Sequence, residues 1–268
     1  MTPAYSAYIP CFNAAETLVE VIESVRSQDP APTEFFVVDD GSTDDSAQRA
    51  EAVGAKVLRL GKNCGRGEAR RLAVNTATNE LVLGCDATNI LPPGFSASAL
   101  RWFKDETVAA VCGDVRQQPG GNAAGRWRGR HLFLQQTERV FSRAVLLSGL
   151  GHILRKSHAL QVGNFDPTMR TGEDRELSTR LLAAGFAVVA DPEVFTLSID
   201  LQSVARVFER YARWHNPVDL WTPRDYLRQI VYSMRVMAPK DLKDGDAAGV
   251  LLSLLSPHYQ YFMRNRPH

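Results

Sequence analysis

Phe35-Phe36-Val37-Val38-Asp39-Asp40-Gly41-Ser42-Thr43-Asp44 is the stretch that decides how the first half of this chain folds. Its four apolar residues are typical of a buried strand. The Gly-Ser-Thr-Asp that follows predicts a tight turn and a cap for the next helix. Asp39 and Asp40 therefore lie at the carboxyl end of a strand, the edge at which open α/β sheets bind ligands. Taken alone, the stretch fits a simple turn-capping role for either acid equally well.

Strands and helices alternate on both sides of this stretch. Predicted strands cover residues 5–9, 34–38, 56–60, 80–85 and 107–113, and predicted helices cover 15–28, 44–53, 67–76 and 93–104. Repeated βα units of this length imply an α/β fold with a mostly parallel central sheet and helices on both faces.

The regular alternation ends after Asp114. Residues 117–125 are rich in Pro, Gly, Asn and Ala and predict a mobile surface loop, and the Arg- and Gln-rich residues 126–147 predict one long helix. Strands are predicted at 149–155, 186–190 and 194–197, with a helix at 173–184. From Gln202 onward the pattern is mostly helical. We therefore expect one domain over residues 1–200 and a helical C-terminal extension over 201–268.

Composition narrows the class of protein and of partner. The chain has 268 residues, of which 44% are apolar and 23% charged, values typical of a soluble globular protein. A net charge of +1 gives no global attraction to nucleic acid, so we expect no nucleic-acid partner. Four cysteines without CxxC spacing argue against a zinc site. With no signal peptide before Ala4 and no apolar run near about 20 residues, we expect a cytoplasmic protein.

Three further loops at strand ends carry groups suited to a phosphate ligand. Pro10 and Asn13 follow the first strand, where a proline leaves nearby backbone groups free. The loop 63–71 combines glycines with Arg70 at the start of a helix, an arrangement that favours an anion. Asp86 follows the fourth strand, where a carboxylate beside a diphosphate would bind Mg²⁺ or Mn²⁺. An ordinary turn explains each of them taken singly.

Glu173 and Asp174 open a predicted helix. Acids are common at helix N-termini, which is the simplest explanation of the pair. The functional explanation is a general base aimed at a hydroxyl group. All of these loops fall at one predicted edge of the sheet, and this convergence favours a nucleoside-diphosphate site with a metal and a base.

Five segments resemble, in order and spacing, the motifs of family 2 glycosyltransferases: IPCFNAAETL (9–18), VVDDGSTDDS (37–46), NCGRGEARR (63–71), LGCDAT (83–88) and GEDRELSTRLLAAGF (172–186). The resemblance runs from about Ala4 to about Leu197. It implies a GT-A fold, with a Rossmann-like sheet flanked by helices. The implied activity is inverting transfer of a sugar from a nucleotide-sugar donor, expected to be UDP-linked, to an acceptor hydroxyl in polysaccharide or glycolipid assembly.

The resemblance also implies donor-side roles for individual residues. Pro10 and Asn13 would border the nucleotide, and Asp40 would accept a hydrogen bond from the base. Arg70 matches the arginine that helps to hold the nucleotide. Asp86 matches the first acid of the family's DXD motif and would bind the ribose, a divalent Mn²⁺ or Mg²⁺ ion, or both.

On the acceptor side, Asp174 of the Glu173-Asp174 pair matches the catalytic base. It would deprotonate the acceptor hydroxyl, whose oxygen attacks the anomeric carbon while the nucleoside diphosphate leaves. One base and one leaving group in line give inversion. Arg213 and Trp214 lie in a segment that partly resembles the QxxRW motif of processive synthases and would contact the acceptor or the diphosphate. Helix packing explains these two residues at least as well.

Three departures from the family pattern keep a second interpretation open. The last acid of the DXD motif is replaced by Thr88, and no histidine stands near Leu197 to complete a metal site. Arg210 replaces the glutamine of QxxRW, and transmembrane segments are absent, which argues against a processive synthase. The alternative is a catalytically weak family member that binds nucleotide sugar and acts as an assembly partner.

Two interpretations are also open for the C-terminal region. Apolar residues at helical spacing between Tyr226 and Met237 precede the apolar run 250–255, and the end of the chain is aromatic and basic. Such a region docks on the inner face of a membrane that carries a lipid-linked acceptor. Alternatively, it packs as a helical cap on the domain or on a second copy in a homodimer. The short basic face favours packing.

Overall fold

The computed structural model describes residues 3–135, 141–199, 203–215 and 221–264, with the backbone alone described for 213–215 and 264. The chain divides into two compact units. The first combines Met1–Arg116 with Arg139–Ile199, and the second combines Gln117–Glu138 with Asp200–His268.

An eight-stranded sheet forms the centre of the first unit, with the strand order β3-β2-β1-β4-β7-β6-β8-β5. Its strands are β1 (Tyr5–Cys11), β2 (Glu34–Asp39), β3 (Lys56–Arg59), β4 (Leu81–Cys85), β5 (Asn89–Ile90), β6 (Val108–Gln117), β7 (Gly151–Arg155) and β8 (Ala187–Ser198). β2 and β4 both pair with β1 in parallel, whereas β7 pairs with β4 and with β6 in antiparallel fashion. The parallel half of the sheet therefore brings the carboxyl ends of β1, β2 and β4 to one edge.

Helices cover both faces of this sheet. They are α1 (Leu18–Arg26), α2 (Ser46–Ala52), α3 (Arg66–Thr76), α4 (Phe95–Leu100, continued by a 3-10 turn Arg101–Lys104), α6 (Lys156–Gln161) and α7 (Glu173–Ala183). In β2, Val37 packs on the face covered by α1, while Phe36 and Val38 pack on the face covered by α3 and α7. Because both faces are buried, its central residues 35–38 are all apolar and do not alternate with polar residues.

The predicted long helix over 126–147 is wrong. Helix α5 (Ala123–His131) ends early, and Leu134 adopts a positive φ of 51°, a left-handed conformation that a helix cannot continue through. Further along, Ser142 and Ala144 form isolated bridges with Ala190 and Val188 of β8. The start of α5 also shortens the predicted loop 117–125, because Asn122 caps the helix by accepting a hydrogen bond from the Gly125 amide.

The two predicted strands 186–190 and 194–197 are one continuous strand, β8. Asp191 and Pro192 looked like a break between them, yet both lie within the strand. Proline removes only one backbone donor from a strand. Its carbonyl still accepts a hydrogen bond from Nη2 of Arg116, at 3.2 Å.

The second unit is helical, as the pattern after Gln202 predicted. With α5 it contains α8 (Val204–His215), α9 (Pro223–Tyr232), a π-helical turn (Ser233–Met237), α10 (Ala238–Lys243) and α11 (Ala247–Arg264). Trp127 of α5 is fully buried, and its ring packs edge-on against Phe208 and Tyr211 of α8. Across the described ranges, no helix combines the length and the apolar character that crossing a bilayer requires.

Candidate active site

The loops after β1 and β2 are joined by hydrogen bonds at the carboxyl edge of the sheet. The Asn13 side-chain oxygen accepts the amide of Thr43 at 2.8 Å, and the Asn13 amide donates to Oγ of Ser42 at 3.0 Å. Asn13 has a positive φ of 50°, which asparagine tolerates better than most residues. Pro10 lies buried within β1, in register with Val38. The structure therefore brings Pro10 and Asn13 beside the turn that follows Asp39 and Asp40.

The two acids of the opening stretch have different partners. The Asp39 carboxylate accepts the Ser42 amide at 3.2 Å and so shapes its own turn. The Asp40 carboxylate spans to the next loop, where Oδ1 accepts the Cys64 amide at 2.6 Å and Oδ2 accepts the Gly65 amide at 2.9 Å. Asp40 thus holds the loop after β3 against the loop after β2. Its predicted hydrogen bond to a nucleotide base stays a prediction.

The glycines of the loop 63–71 serve close packing in this structure. A Cβ on Gly67 would lie 2.0 Å from the carbonyl oxygen of Asp166, and the Gly67 amide donates to the carbonyl of Met169 at 3.0 Å. A Cβ on Gly65 would approach Arg170 to 3.0 Å. At the start of α3 the Gly67 amide is therefore engaged by Met169, while the Gly65 amide is engaged by Asp40.

Arg70 is the centre of a buried ionic network. Its side chain has no exposed surface, and Nε donates to Oε1 of Glu173 at 3.0 Å while Nη2 donates to Oδ1 of Asp86 at 2.6 Å. The guanidinium also lies 3.5 Å from the hydroxyl of Tyr8 and faces the ring of Phe165. With its donors taken up by protein groups, Arg70 positions Asp86 and Glu173. Its predicted contact with the nucleotide stays a prediction.

Gly149 connects this network to Asp174. Its carbonyl accepts Nη2 of Arg70 at 2.9 Å, and its amide donates to Oδ2 of Asp174 at 2.7 Å. A Cβ at this position would lie 2.7 Å from Nη2 of Arg70 and 3.0 Å from Oδ2 of Asp174. Glycine is therefore the residue that fits between them. Asp86 and Asp174, which are far apart in sequence, are thus linked through Gly149: its amide bonds Asp174 directly, and its carbonyl reaches Asp86 through Arg70.

Burial shifts the ionisation of two members of the network. Burial raises the pKa of Glu173, with the neighbouring Arg70 charge opposing the rise, and Oε2 of Glu173 has no hydrogen-bond partner among the described residues. Burial also lowers the pKa of His152 well below its usual range, and the charge of Arg70 adds to that effect. His152 is therefore neutral at physiological pH, and its Nε2 lies 3.5 Å from the Tyr8 hydroxyl.

A divalent cation has few protein ligands at this site. Among the described residues, no group of three or more His, Cys, Asp or Glu side chains is arranged to hold a metal ion. Asp86 offers Oδ2, which no described residue engages, and the hydroxyl of Thr88 donates to Asn89 at 3.2 Å. A hard cation that binds through one carboxylate and takes its other ligands from water and a diphosphate fits this donor set.

Two predicted residues have side chains outside the described part of the chain, and two residues of the site were not predicted. Arg213 and Trp214 belong to α8, but their side chains fall outside the described residues. Sequence reasoning did not predict the individual roles of Gly149 and His152. The sequence signal for His152 was a polar residue inside a predicted strand. In the structure His152 pairs with Gly84, and a Cβ on Gly84 would lie 2.7 Å from both His152 and Tyr8.

Solved structures of other proteins share this fold. A mannosyltransferase from Pyrobaculum calidifontis, in complex with GDP-Man and Mn²⁺, superposes with a TM-score of 0.59 over 100% of this chain and 77% of its own, at 16% identity. TarS residues 1–349 of S. aureus, in complex with UDP-GlcNAc, also gives 0.59 over 97% of this chain and 89% of its own, at 16% identity. These similarities confirm the predicted GT-A fold.

Relatives in sequence are glycosyltransferases. An N-acetylglucosaminyltransferase of Mesorhizobium japonicum is 27% identical over 94% of this chain, and the poly-beta-1,6-N-acetyl-D-glucosamine synthase of Staphylococcus epidermidis is 22% identical over 78% of it. The alignments span 64% and 53% of those two proteins. The sequence profile described as Glycosyl transferase family 2 matches residues 6–170, more than half of the chain. The chain belongs to glycosyl transferase family 2.

Proposed function

We propose that this chain transfers a sugar, with inversion, from a nucleotide-sugar donor to an acceptor hydroxyl. The observation that carries the proposal is the backbone of Gly149, whose amide and carbonyl join the Asp174 carboxylate to the Arg70–Asp86 pair through hydrogen bonds of 2.7 and 2.9 Å. A base on one side of a reacting carbon and a donor site on the other require this kind of fixed spacing.

Asp174 has the geometry of a general base. Its Oδ2 accepts the Gly149 amide and its Oδ1 accepts the Arg175 amide at 2.8 Å, so the carboxylate is fixed while each oxygen keeps a free lone pair. It lies in the first turn of α7, where the helix dipole stabilises a negative charge. The side chain is half-buried, so an acceptor hydroxyl can reach it. In this proposal Asp174 takes the proton of that hydroxyl.

Asp86 and Asp40 serve the donor in this proposal. Oδ1 of Asp86 is held by Arg70, which leaves Oδ2 for a ribose hydroxyl or for Mn²⁺ or Mg²⁺. Such an ion, when bound, would offset the charge of the departing diphosphate. Asp40 would read the base with its remaining lone pairs, next to Pro10 and Asn13. Known neighbours bind donors with different bases, since one complex contains GDP-Man and another UDP-GlcNAc; we expect UDP here.

The acceptor in this proposal is a growing glycan or a lipid-linked sugar. Support comes from the relatives, one of which is a poly-beta-1,6-N-acetyl-D-glucosamine synthase. We place this reaction in the cytoplasm, at the inner face of the membrane.

The experiment that tests this function measures nucleoside-diphosphate release from a panel of UDP- and GDP-sugars with and without Mn²⁺. We expect slow donor hydrolysis that Asp174→Asn abolishes while nucleotide affinity by calorimetry is retained. Asp45→Asn, a surface substitution in the exposed pair with Arg49, serves as the control and should leave turnover unchanged. Equal turnover by Asp174→Asn and the parent chain would refute the assignment of the base.

A second function is favoured by Thr88. At the last position of the DXD motif its hydroxyl is engaged with Asn89, which leaves Asp86 as the carboxylate for a metal. A protein with this site that binds nucleotide sugar without turning it over would act as an assembly partner. Calorimetric binding of UDP or GDP, together with absent turnover of every donor in the panel, would select this function over the enzyme.

A further inference from the structure

Helices α9 and α11 are neighbours in the second unit and run antiparallel. The ring of Tyr226 stacks on that of Tyr261 with centroids 4.4 Å apart, and Tyr226 also forms a 2.5 Å hydrogen bond with His258. About two turns after Tyr226, the Ser233 hydroxyl donates to the carbonyl of Ser253. Residues later in the α9 segment contact residues earlier in α11, so the two helices form an antiparallel pair.

The inner faces of the pair are packed within the second unit. Ser233 and Met237 are buried at the end of the α9 segment, and Tyr211 of α8 contacts the sulfur of Met237. In α11 the buried positions recur at helical spacing: Leu252, Ser253, Ser256 and Gln260. One face of each helix is thus packed within the second unit, whereas the predicted packing on the domain or on a second copy stays a prediction.

The opposite faces are exposed and apolar. On α9 and the π-helical turn, Leu227, Val231 and Met234 follow one another at spacings of four and three, and Leu227 is 61% exposed. On α11, Leu251, Leu255 and Phe262 recur at helical spacing, with Phe262 64% exposed. We call these residues, with Leu254, the α9–α11 face. Large apolar side chains clustered in this way mark an interaction site.

The charges next to this face are mostly basic. Within residues 221–263 the exposed Lys and Arg residues are Arg224, Arg228, Arg235, Lys240 and Lys243. Asp244, which pairs with Arg130, is the one acid classed as exposed in the same range, because Asp225 is half-buried in the cap of α9, and Asp241 and Asp246 are buried. Exposed basic side chains therefore outnumber exposed acids by five to one within this range.

We propose that the α9–α11 face binds the surface of an anionic phospholipid bilayer. Apolar residues flanked by Lys and Arg insert at the headgroup boundary and attract anionic lipids. Two helices side by side fit a mode in which the protein lies on the bilayer. This proposal rests on the exposed faces alone and is independent of the proposed transfer reaction.

The charges around the α9–α11 face favour an anionic bilayer over a second copy of the chain as its binding partner. In a two-fold symmetric dimer the same patch meets itself, so the basic residues around the face would oppose their own copies. Like charges placed opposite one another across an interface oppose association. An anionic bilayer instead pairs those charges with lipid phosphates.

Vesicle co-flotation of the full chain tests the proposal. We expect binding to phosphatidylcholine vesicles that contain phosphatidylglycerol and little binding to phosphatidylcholine alone, with binding weakened by salt. The double variant Leu255→Glu/Phe262→Glu should abolish flotation. Arg228→Gln/Arg235→Gln should lower the partition coefficient on the order of 30-fold, since each basic residue near an anionic surface contributes about a fivefold factor.

Matched control variants change similar side chains away from the α9–α11 face. Leu160→Glu changes an exposed leucine of α6, and Arg49→Gln/Lys104→Gln removes two surface charges of the first unit; both should float like the parent chain. Thermal melts and light scattering of each variant establish folding and mass. Absent flotation of the folded parent chain at low salt, or flotation that the face variants leave unchanged, would overturn the proposal. A dimer that the same variants dissociate, without lipid binding, would identify a second copy as the occupant.

Discussion

The amide nitrogen of Gly149 lies 2.7 Å from Oδ2 of Asp174. The carbonyl of the same residue accepts Nη2 of Arg70, so the candidate base and the buried ionic network are joined through Gly149. A small movement at this position would displace both. The site therefore depends on a glycine that contributes only its backbone amide and carbonyl.

Gly149→Ala should reduce sugar transfer or donor hydrolysis by about 100-fold, because a displacement near 1 Å at a reacting group has that effect. The added Cβ would lie 2.7 Å from Nη2 of Arg70, so either the arginine or the loop must move. Initial rates at saturating donor measure the change. Gly121→Ala is the control, because its Cβ would lie 3.3 Å from Nε2 of Gln117 and 3.7 Å from the carbonyl oxygen of Gln118, which requires a shift of a few tenths of an ångström at most. Equal rates for both variants would contradict the connecting role of Gly149.

Glu173 offers a test that depends on pH. Because burial raises its pKa above the unfolded value, its contribution to stability is fully present below the unfolded pKa of about 4.3 and is lost as pH rises through the raised value. Glu173→Gln removes the ionisation and keeps an oxygen for Nε of Arg70. Its free energy of unfolding relative to the parent chain should therefore increase between pH 4.5 and pH 8 in urea titrations.

Glu173→Ala provides the contrast to that variant. It leaves Nε of the buried Arg70 without its partner and should destabilise the chain by about 3–5 kcal/mol. Equal stabilities of the Gln and Ala variants at pH 7 would show that the hydrogen bond to Arg70 contributes nothing.

Asp40→Asn should loosen the loop after β3. Asp40 accepts two backbone amides with its two oxygens, and an asparagine has one oxygen and a donor in place of the other. A lost hydrogen bond with a buried donor left unsatisfied costs about 1–3 kcal/mol. Thermal melts measure this loss, and calorimetry with UDP and GDP measures the effect on the predicted base contact. Asp45→Asn should change neither quantity.

The sequence could predict those parts of the fold that depend on neighbouring residues. The apolar run 35–38 identifies a strand buried on both faces, and the acids after it identify the edge that carries the site. Helix propensity misled over residues 126–147, because the left-handed Leu134 and the bridges from Ser142 and Ala144 to β8 arise from tertiary contacts.

In the candidate site, too, some residues could be predicted from the sequence and others depend on tertiary contacts. Asp40, Asp86 and Asp174 stand out because carboxylates at strand and helix ends are visible in sequence. The burial of Arg70 and the role of Gly149 arise from partners 16, 79 and 103 residues away along the chain. A spacing pattern cannot reveal such pairs.

The second unit contains an ionic cluster that makes its stability sensitive to acid. Asp246 accepts Nε and Nη2 of Arg126, each at 3.0 Å, and Nη2 of Arg130 at 2.5 Å. The hydrogen bond from Arg126 is the largest cause that holds the pKa of Asp246 well below its usual range. A depressed carboxyl pKa contributes stability that is present above the unfolded pKa of about 3.9 and is lost as pH falls through the folded value.

Asp246→Asn should therefore destabilise the second unit at pH 6, and the difference from the parent chain should shrink as pH falls below about 3.9. Hydrogen exchange of the α11 amides reports on this unit directly, because Asp246 accepts the Gly249 amide at 3.1 Å in the first turn of that helix. We expect faster exchange over 247–256 in the variant at pH 6, while amides of β1 and β4 are unaffected. Glu106→Gln, a change at the surface of the first unit, controls for lost negative charge. A destabilisation of Asp246→Asn that stays constant from pH 6 to pH 3 would show that the aspartate acts through packing, since only its ionised form accepts from both arginines as a charge partner.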